Sequence, residues 1–476
     1  MKRIFAMILV LIMALSLIAC GTGSETVKDD PYTGTFRAGY GQALINPEES
    51  VPLAGYGRTS SRMSQNITED LYIRCTALTD ENENTVLIFS ADAIRADDIF
   101  FTGMAMVADA TGIPVENMII NTSHSHSAPD FTNTGEDSIL RYTDYVQDQM
   151  LAAALAAVAD RKPAQMFYGS TETSGLNFIR HYLMDDGSYG GDSFGDWTNH
   201  HAVAHTAEPD TTMHLLKFTR EGKKDIVLVN WRAHAAMTGS AGTGVNVSSD
   251  FLGPFRDSLE SLADCHAMYL QGHAGNINPG SRMNAEVEYS DYKEHGYLLA
   301  EFANQGLQEM QQLETGAIKT KRVFMDGKIN HDMDHMVVKA SELSAIWNNT
   351  GDREQVIELG KPYGIRSPYH ANAIKSNAKR GESEEIQLNV ISIGNSVGFT
   401  TGPAELFDRN SMAIEEASPY EHTFCLAYTN GHLGYIPAAY VWEYTSYETD
   451  ITRFAPGTAE QIQDTLLQML ETLAEQ

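Results

Sequence analysis

At 476 residues the chain has room for one large domain or two to three ordinary ones. Its 42% hydrophobic and 20% charged residues are the composition of a folded protein, not a disordered one. A formal net charge of -30 argues against nucleic acid and against a strongly anionic lipid surface as partners, and is compatible with a neutral or cationic substrate. No segment after residue 20 is long and apolar enough to cross a bilayer.

The N-terminus reads as a targeting element. Lys2 and Arg3 form a charged start, Ile4 to Ile18 an uncharged apolar core, and Leu17-Ile18-Ala19-Cys20 closes it. This pattern is that of a bacterial lipoprotein signal over residues 1–20, in which Cys20 carries the lipid. The expected product is an exported, membrane-anchored protein on the extracytoplasmic face. Residues 21–34 are polar and turn-rich, as suits a tether, and the folded domain is expected over 35–476. Cys75, Cys265 and Cys425 remain, enough for one disulfide at most, and no Cys-X-X-Cys pair exists to hold a structural zinc.

Residues 35–60, rich in Gly, Pro and Tyr, read as short strands and tight turns. Thr85 to Ser90 is a continuous apolar run, the pattern of a strand buried on both faces, and it ends at Ala91-Asp92. Ile99 to Ala110 has helical spacing and is broken by Gly112-Ile113-Pro114. A strand through Met118-Ile119-Ile120 then runs into Asn121-Thr122-Ser123-His124-Ser125-His126-Ser127-Ala128-Pro129-Asp130. Strand, helix, strand in this order predicts an α/β layer with polar residues at strand ends. Ile139 to Asp160 is predicted as a helix and Gln165 to Gly169 as a strand. Residues 183–206 lack periodicity and are expected to form a long surface loop. Met213 to Phe218 and Asp225 to Asn230 read as a hairpin that leads into Trp231-Arg232-Ala233-His234. A helix over Asp250 to Leu262, capped by Ser249, precedes a strand at Met268-Tyr269-Leu270 and the loop from Gln271 to Gly280. A long helix is expected over Tyr289 to Leu313, whereas 315–385 give no clear reading. A hairpin about Gly394-Asn395 leads to Thr401-Gly402-Pro403-Ala404-Glu405. A strand over Phe424 to Tyr428 leads to Gly434-Tyr435, and a helix over Thr458 to Glu475 closes the chain.

Polar groups thus follow apolar strands repeatedly: His124 with His126, His234, His273 with Asn276, Glu405, and Tyr435. Residues two apart in an extended segment share a face, so His124 and His126 leave their strand on one side. On those residues alone, metal ligation and an ordinary pair of loop histidines are both open. His234 alone reads equally as a core histidine, Glu405 as a helix N-terminal carboxylate, and Tyr435 as a packed strand tyrosine. Together they suggest strand ends that converge on one site. Two His and one Glu satisfy a catalytic zinc, which takes three protein ligands and keeps a position open.

From about Phe36 to the C-terminal helix the chain resembles the catalytic domain of the neutral/alkaline ceramidase family. The matching stretches fall in family order: Leu53-Ala54-Gly55-Tyr56-Gly57, Ser90-Ala91-Asp92, Ser123 to Pro129, Asn177 to Arg180 and Asn230 to His234. Ser249-Asp250-Phe251, Gly275 to Pro279, Gly402 to Glu405, Gly434-Tyr435 and Tyr447-Glu448 follow. The resemblance implies an α/β fold of packed mixed sheets with outer helices. It also implies one zinc ion held by His124, His234, Glu405 and Tyr435. Tyr447 follows Tyr435 by twelve positions, as the family's second tyrosine follows its ligand tyrosine. The implied activity is hydrolysis of an amide bond, in ceramide or another N-acyl compound, by metal-activated water. His126 and Tyr447 would polarise the carbonyl and Arg180 would contact the substrate. The implied partners are a small-molecule or lipid amide and the membrane that holds the anchor.

The chain departs from the family at Gly275-Asn276-Ile277-Asn278-Pro279-Gly280, where the signature has Asp and Ser at the positions of Asn276 and Asn278. Neither amide can act as general base or acyl-accepting nucleophile, so a serine mechanism is excluded there while a metal-water mechanism stands. His273 is the candidate for a replacement proton acceptor. On this resemblance the chain is expected to correspond to the family's catalytic domain and not to its C-terminal β-domain. The alternative to an enzyme is a surface lipoprotein that keeps the fold as a binding module. The metallo-β-lactamase pattern is disfavoured because Ser127-Ala128 stand where Asp-His is required. The amidohydrolase barrel is disfavoured because an α/β unit precedes His124.

Overall fold

The computed structural model describes residues 32–56, 62–191, 194–239, 244–280 and 291–476. The signal, Cys20 and most of the expected tether lie outside the described residues. Among the described residues no helix is long and apolar enough to cross a membrane, and Cys75, Cys265 and Cys425 are buried and free.

The layers follow from strands that are apolar on both faces. Thr85–Ala91 is buried throughout. Val86 and Ile88 join one core, while Leu87, Phe89 and Ala91 join another on the opposite face. The same alternation holds in Asp225–Trp231 and Cys265–Gln271. These strands belong to one large mixed sheet. Its spatial order is Cys265–Gln271, Asp225–Trp231, Thr212–Arg220, Lys162–Glu172, Arg37–Leu44, Tyr72–Thr79, Thr85–Ala91 and Met118–Thr122. The pairs at its two edges are parallel and the central ones antiparallel. A second sheet orders Ile318–Lys328, Ser383–Ile393, Val397–Thr401 and His422–Leu426. Ile391, Phe399 and Phe424 of this sheet share a core with Ile88, Leu228 and Met268 of the first.

Helices cover the outside. Asp98–Thr111 and Asp137–Ala159 pack on one half of the large sheet. Leu252–Ala263 and Tyr292–Gly306 pack on the other half. Asp408–Ala417 and Thr458–Ala474 cover the small sheet. The fold is the α/β arrangement of packed mixed sheets with outer helices expected from the sequence.

The large sheet curls until its edges meet. The Ser90 hydroxyl donates to the Tyr269 carbonyl at 2.6 Å. Asn121 Nδ2 donates to the carbonyls of Gln271 (3.2 Å) and Ala427 (2.7 Å), and its Oδ1 accepts the Gln271 N–H at 2.7 Å. One buried amide therefore ties together the ends of strands from both sheet edges and from the second sheet.

Three local expectations change. Residues 183–206 are not a loop: His181–Met184, Tyr189–Gly191 and Ala202–His205 make a small sheet. Its strands are too short to show a period, and they are held by backbone pairing and by the Trp197 indole, which donates to the Gly191 and Phe194 carbonyls. The helix expected over Tyr289 to Leu313 ends at Gly306, and Gln311–Leu313 instead pairs with Lys162–Glu172. Asp291 caps that helix through its carboxylate. Ser249 caps nothing, because Asp250 adopts a φ of 60° and turns the chain, its own carboxylate accepting the Phe251 and Thr238 N–H groups. The unread stretch folds into Val337–Thr350, Arg353–Gly360 and Pro368–Asn377 around a small core of their own.

Replacing Asn121 by Ala should cost roughly 2–4 kcal/mol of folding stability, because it strands several buried backbone partners at once. Urea unfolding checks this. A midpoint shift no larger than that of an exposed control substitution would show that the sheet edges hold without the amide.

Candidate metal centre

Met118–Thr122 delivers His124 at the carboxyl end of the sheet. His124 itself has a φ of 58°, and the nearby Tyr428 and Asn430 have 51° and 55°. Left-handed backbone at residues with side chains is uncommon and gathers at functional sites. His124 Nδ1 donates to the Ile94 carbonyl at 2.8 Å, which leaves Nε2 as a lone pair facing inward. Tyr428 packs against the ring at 4.2 Å. His234 is fixed in the same way: its Nδ1 donates to the carbonyls of Ala274 (2.8 Å) and Ile277 (3.1 Å), and Nε2 points to the same place.

Glu405 and Tyr435 come from two very short strands, Glu405–Leu406 and Tyr435–Ile436, paired in parallel with Glu405 opposite Tyr435. Direct partners across such a pair point to the same face. Glu405 Oε2 lies 3.3 Å from both His124 Nε2 and His234 Nε2, and Tyr435 Oη lies 3.3 Å from His234 Nε2. Ligand atoms held tetrahedrally about 2.0–2.1 Å from a zinc ion are about 3.3–3.4 Å apart.

The protonation states agree with this spacing. Burial, reinforced by the charge of Arg180, lowers the His234 imidazole to about 4. Burial alone would raise Glu405; its carboxyl is held well below the usual carboxylate range only by positive charge on the side of His124 and His234, which protonated imidazoles or a cation lying among them would supply. Glu405 Oε2 is fully buried and accepts no hydrogen bond. A carboxylate oxygen facing two imidazole lone pairs is repulsive unless a cation lies among them. The donor set fits a divalent ion with a preference for nitrogen and oxygen.

His126 stands on the cleft side of this group, with Nε2 3.3 Å from His124 Nε2. Its backbone N–H bonds the Ala235 carbonyl and its ring meets Tyr56 edge-on. Burial pushes its pKa well below the ordinary value, and His124 and His234 add to the effect. Gly55 explains its own place in the sequence motif: at a φ of 103°, a Cβ there would lie 2.7 Å from His126. Ring nitrogens of His124, His126 and His234 all lie within 4.8 Å of one another, so a three-imidazole set stands beside the set containing Glu405 and Tyr435. A second group, Asp185, Asp186 and His200, lies toward the surface and its members pair among themselves.

Arg180 joins the centre from behind. Its guanidinium donates to Tyr435 Oη at 3.1 Å, to the Gly275 carbonyl at 2.9 Å and to Glu448 Oε1 at 2.8 Å. The other Glu448 oxygen accepts from His181 Nε2 at 2.8 Å, and His181 Nδ1 accepts from the Tyr444 hydroxyl at 2.9 Å. Burial works against ionised Glu448, but His181 and Arg180 overcome it and hold its pKa far below the ordinary value. Sequence reasoning assigned no role to His181 or Glu448. The available signal was that each directly follows a residue it did single out, Arg180 and Tyr447.

A cleft of about 680 Å³ opens onto the centre. His126, His234, Tyr435, Arg180, Asn278 and Tyr447 line it, while His124 and Glu405 sit just behind. Tyr447 packs edge-on against Tyr435 at 5.8 Å. Two residues of the sequence-predicted set are placed elsewhere. Asn276 is buried at the start of the helix Asp408–Ala417, its Nδ2 donating to Asp408 Oδ1 at 2.8 Å and its Oδ1 accepting the Asp408 N–H at 3.3 Å. An Asp at this position would confront another carboxylate. His273 is fully buried outside the cleft, lowered to about 3 by burial with Arg232 nearby. The loop that carries both residues approaches Glu405 through Gly275, where a Cβ would lie 2.5 Å from the Glu405 carbonyl oxygen.

No family model matches the chain. No curated protein matches it in sequence. Among solved structures it is similar to the neutral ceramidase from Pseudomonas aeruginosa, with a TM-score of 0.69 and 17% identity over 93% of this chain and 75% of that one. A ceramidase complexed with C2 matches with a TM-score of 0.67 and 17% identity, over the same shares. The likeness is one of fold over nearly the whole length, and the chain has a neutral-ceramidase-like fold.

Proposed function

We propose that the chain is a zinc-dependent hydrolase of an amide bond in ceramide or another N-acyl compound, tethered through Cys20 to the extracytoplasmic face of a membrane. The observation that carries this reading is the buried Glu405 oxygen facing two imidazole nitrogens at 3.3 Å with no hydrogen bond to satisfy it. His124, His234, Glu405 and Tyr435 would hold the ion. When bound, zinc supplies a Lewis acid for a carbonyl oxygen and lowers the pKa of a water.

The chain's own groups do the rest. Tyr447 and His126 stand on the cleft side, placed to donate to the carbonyl oxygen as it gains negative charge. Hydrolysis adds one water across the C–N bond to give an acid and an amine. His126, kept neutral by burial, is the group positioned to pass the proton between them. Arg180 donates to Tyr435 Oη and so favours that oxygen as a ligand, while Glu448 fixes the guanidinium. Asn278 faces the cleft but supplies only an amide. The binding-module alternative draws on Asn276 and Asn278; the bond from Asn276 to Asp408 gives the first amide a structural task, while Asn278 remains in the cleft lining.

Metal analysis of the purified protein should find one zinc per chain. His234→Ala and His124→Ala should lose it. His126→Ala should keep it and lose roughly 10²–10⁴-fold in kcat on an N-acyl amide. Wild-type protein without stoichiometric zinc would sink this reading. Zinc with no turnover of any amide would favour the binding module.

His273 has no part in this chemistry, and pH separates the two possibilities. Its folded value of about 3 lies below the ordinary 6.5. Between those values the unfolded chain binds more protons than the folded one, so the His273 contribution to stability is lost as pH falls from 6.5 towards 3. In urea unfolding across that range, His273→Gln should flatten the slope by one proton and leave the pH–rate profile unchanged. A displaced rate profile would put His273 back in the mechanism.

A further inference from the structure

The helix Pro368–Asn377 and the short helix Tyr447–Ile451 stand between two cavities. Tyr369, Tyr447 and Glu448 line the cleft at the candidate metal centre. Their chain neighbours His370, Thr449 and Asp450 line a second cavity, of about 400 Å³. Thr452 belongs to the same partition: it lines the second cavity, and its hydroxyl donates to the Tyr435 carbonyl at 2.7 Å. The whole second lining falls between Asn330 and Pro456, inside the uninterrupted described stretch 291–476.

The floor of this cavity is polar and fixed. Asp450, 2% exposed, accepts from Arg366 Nε at 2.8 Å and from the Ser367 hydroxyl, which holds the guanidinium at the wall. Asn377 donates from Nδ2 to the carbonyls of Asn330 and Thr452. His370 is 7% exposed, and its Nδ1 accepts the Arg366 backbone N–H at 3.3 Å. Burial, with the charge of Arg366 nearby, lowers the ring to about 3, so it is neutral and carries its proton on Nε2. Among the described residues that N–H has no acceptor. The indole N–H of Trp442, on the same lining and itself buried, has none either. Buried donors are normally paired, so two unpaired ones on one wall point to an occupant that brings acceptors.

Charge narrows the choice. Asp332, Asp334 and Glu443 join Asp450 on the lining, against the single guanidinium of Arg366, so a phosphate or carboxylate is repelled. A cation suits that charge but brings no acceptor for His370 and Trp442. Among the described residues no metal-ligand cluster forms here. A sugar ring meets every condition. It is uncharged, each hydroxyl can donate to a carboxylate and accept from an N–H, and its C–H face can lie on the electron-rich face of an indole. The volume is that of a small-molecule site.

We propose that this second cavity is a binding site for a neutral saccharide, with Trp442 as its stacking wall and His370 as its buried donor. The site is separate from the cleft and stands whether or not the amide-hydrolase reading does.

The experiment is calorimetry on the full chain, as purified and after chelator treatment. The probes are glucose, galactose, N-acetylglucosamine, maltose and cellobiose, with choline and inorganic phosphate as charged comparisons. At least one sugar should bind saturably at one site per chain, equally with and without metal, while choline and phosphate should not bind there. His370→Phe keeps a ring and removes the donor, and should weaken that sugar roughly tenfold. Trp442→Ala should weaken it by at least as much. Tyr369→Phe, on the cleft side of the same helix, should leave it unchanged. Circular dichroism checks that each variant folds, and because Trp442 is only half-buried its variant gives the answer even where His370→Phe fails to fold. Three results would each overturn the proposal: no sugar binding, choline or phosphate bound in place of sugar, or sugar affinity that Trp442→Ala leaves intact. Sugar binding lost with Tyr369→Phe would place the sugar in the cleft and overturn it as well.

Discussion

A single buried carboxylate oxygen sets the constraint under which this site is built. Glu405 Oε2 faces His124 Nε2 and His234 Nε2, and both nitrogens are committed to being acceptors because their partner nitrogens donate to backbone carbonyls. Burying an uncompensated charge among lone pairs is among the costliest arrangements a fold can hold. The backbone does not leave these groups free to turn away. Ile94 and Ala274 fix the ring tautomers, and the parallel pairing of Glu405 with Tyr435 fixes the carboxylate beside the phenol. The loops reach close enough only because Gly55 and Gly275 have no Cβ. A preorganised set of buried acceptors of this kind meets the physical requirements of a metal site, which is what supports the zinc reading proposed above.

The sheets exist, for this purpose, to bring distant chain segments to one end. Parallel pairs at both edges of the large sheet place the carboxyl ends of Met118–Thr122 and Asp225–Trp231 together once the sheet curls. Asn121 sits where that curl closes, bonded to Gln271 and Ala427. The second sheet then contributes the segment after Val397–Thr401, which carries Glu405, and the segment after His422–Leu426, which carries Tyr435. Four candidate ligand atoms from four strand ends need no loop to move, so rigidity comes from the layers themselves.

Much of this was legible in the chain, and for identifiable reasons. Strands buried on both faces are written as unbroken apolar runs, so Thr85–Ala91 and Met118–Thr122 could be read directly, and with them the polar residues at their ends. His124, His234, Glu405 and Tyr435 each follow such a run, and the structure brings all four together. What could not be read depends on pairings across hundreds of residues. Asn276 carries no local sign that Asp408 is its partner, nor His181 that it bonds Glu448. The small sheet over 181–205 has strands below the length at which periodicity exists. Tyr369 belongs to a helix whose packing is local but whose half-buried ring meets Tyr447 only across about eighty residues of chain.

The chain of bonds from Tyr444 through His181, Glu448 and Arg180 to Tyr435 ties the cleft wall to the centre in a defined electrical sense. The Arg180–Glu448 pair is neutral as a unit, yet it is oriented, with the guanidinium towards Tyr435. Tyr435 Oη therefore accepts from a cation on one side and lies 3.3 Å from a committed acceptor, His234 Nε2, on the other. Without an ion the phenol's own proton can bridge that second gap, and it satisfies His234 at the cost of leaving Glu405 bare. A divalent cation in the same space satisfies all three acceptors at once, and Arg180 is already placed to offset the charge of a phenol that has given up its proton. Under the proposed zinc reading, proton and metal would compete for one cavity, and the fixed guanidinium would tilt that competition towards the metal.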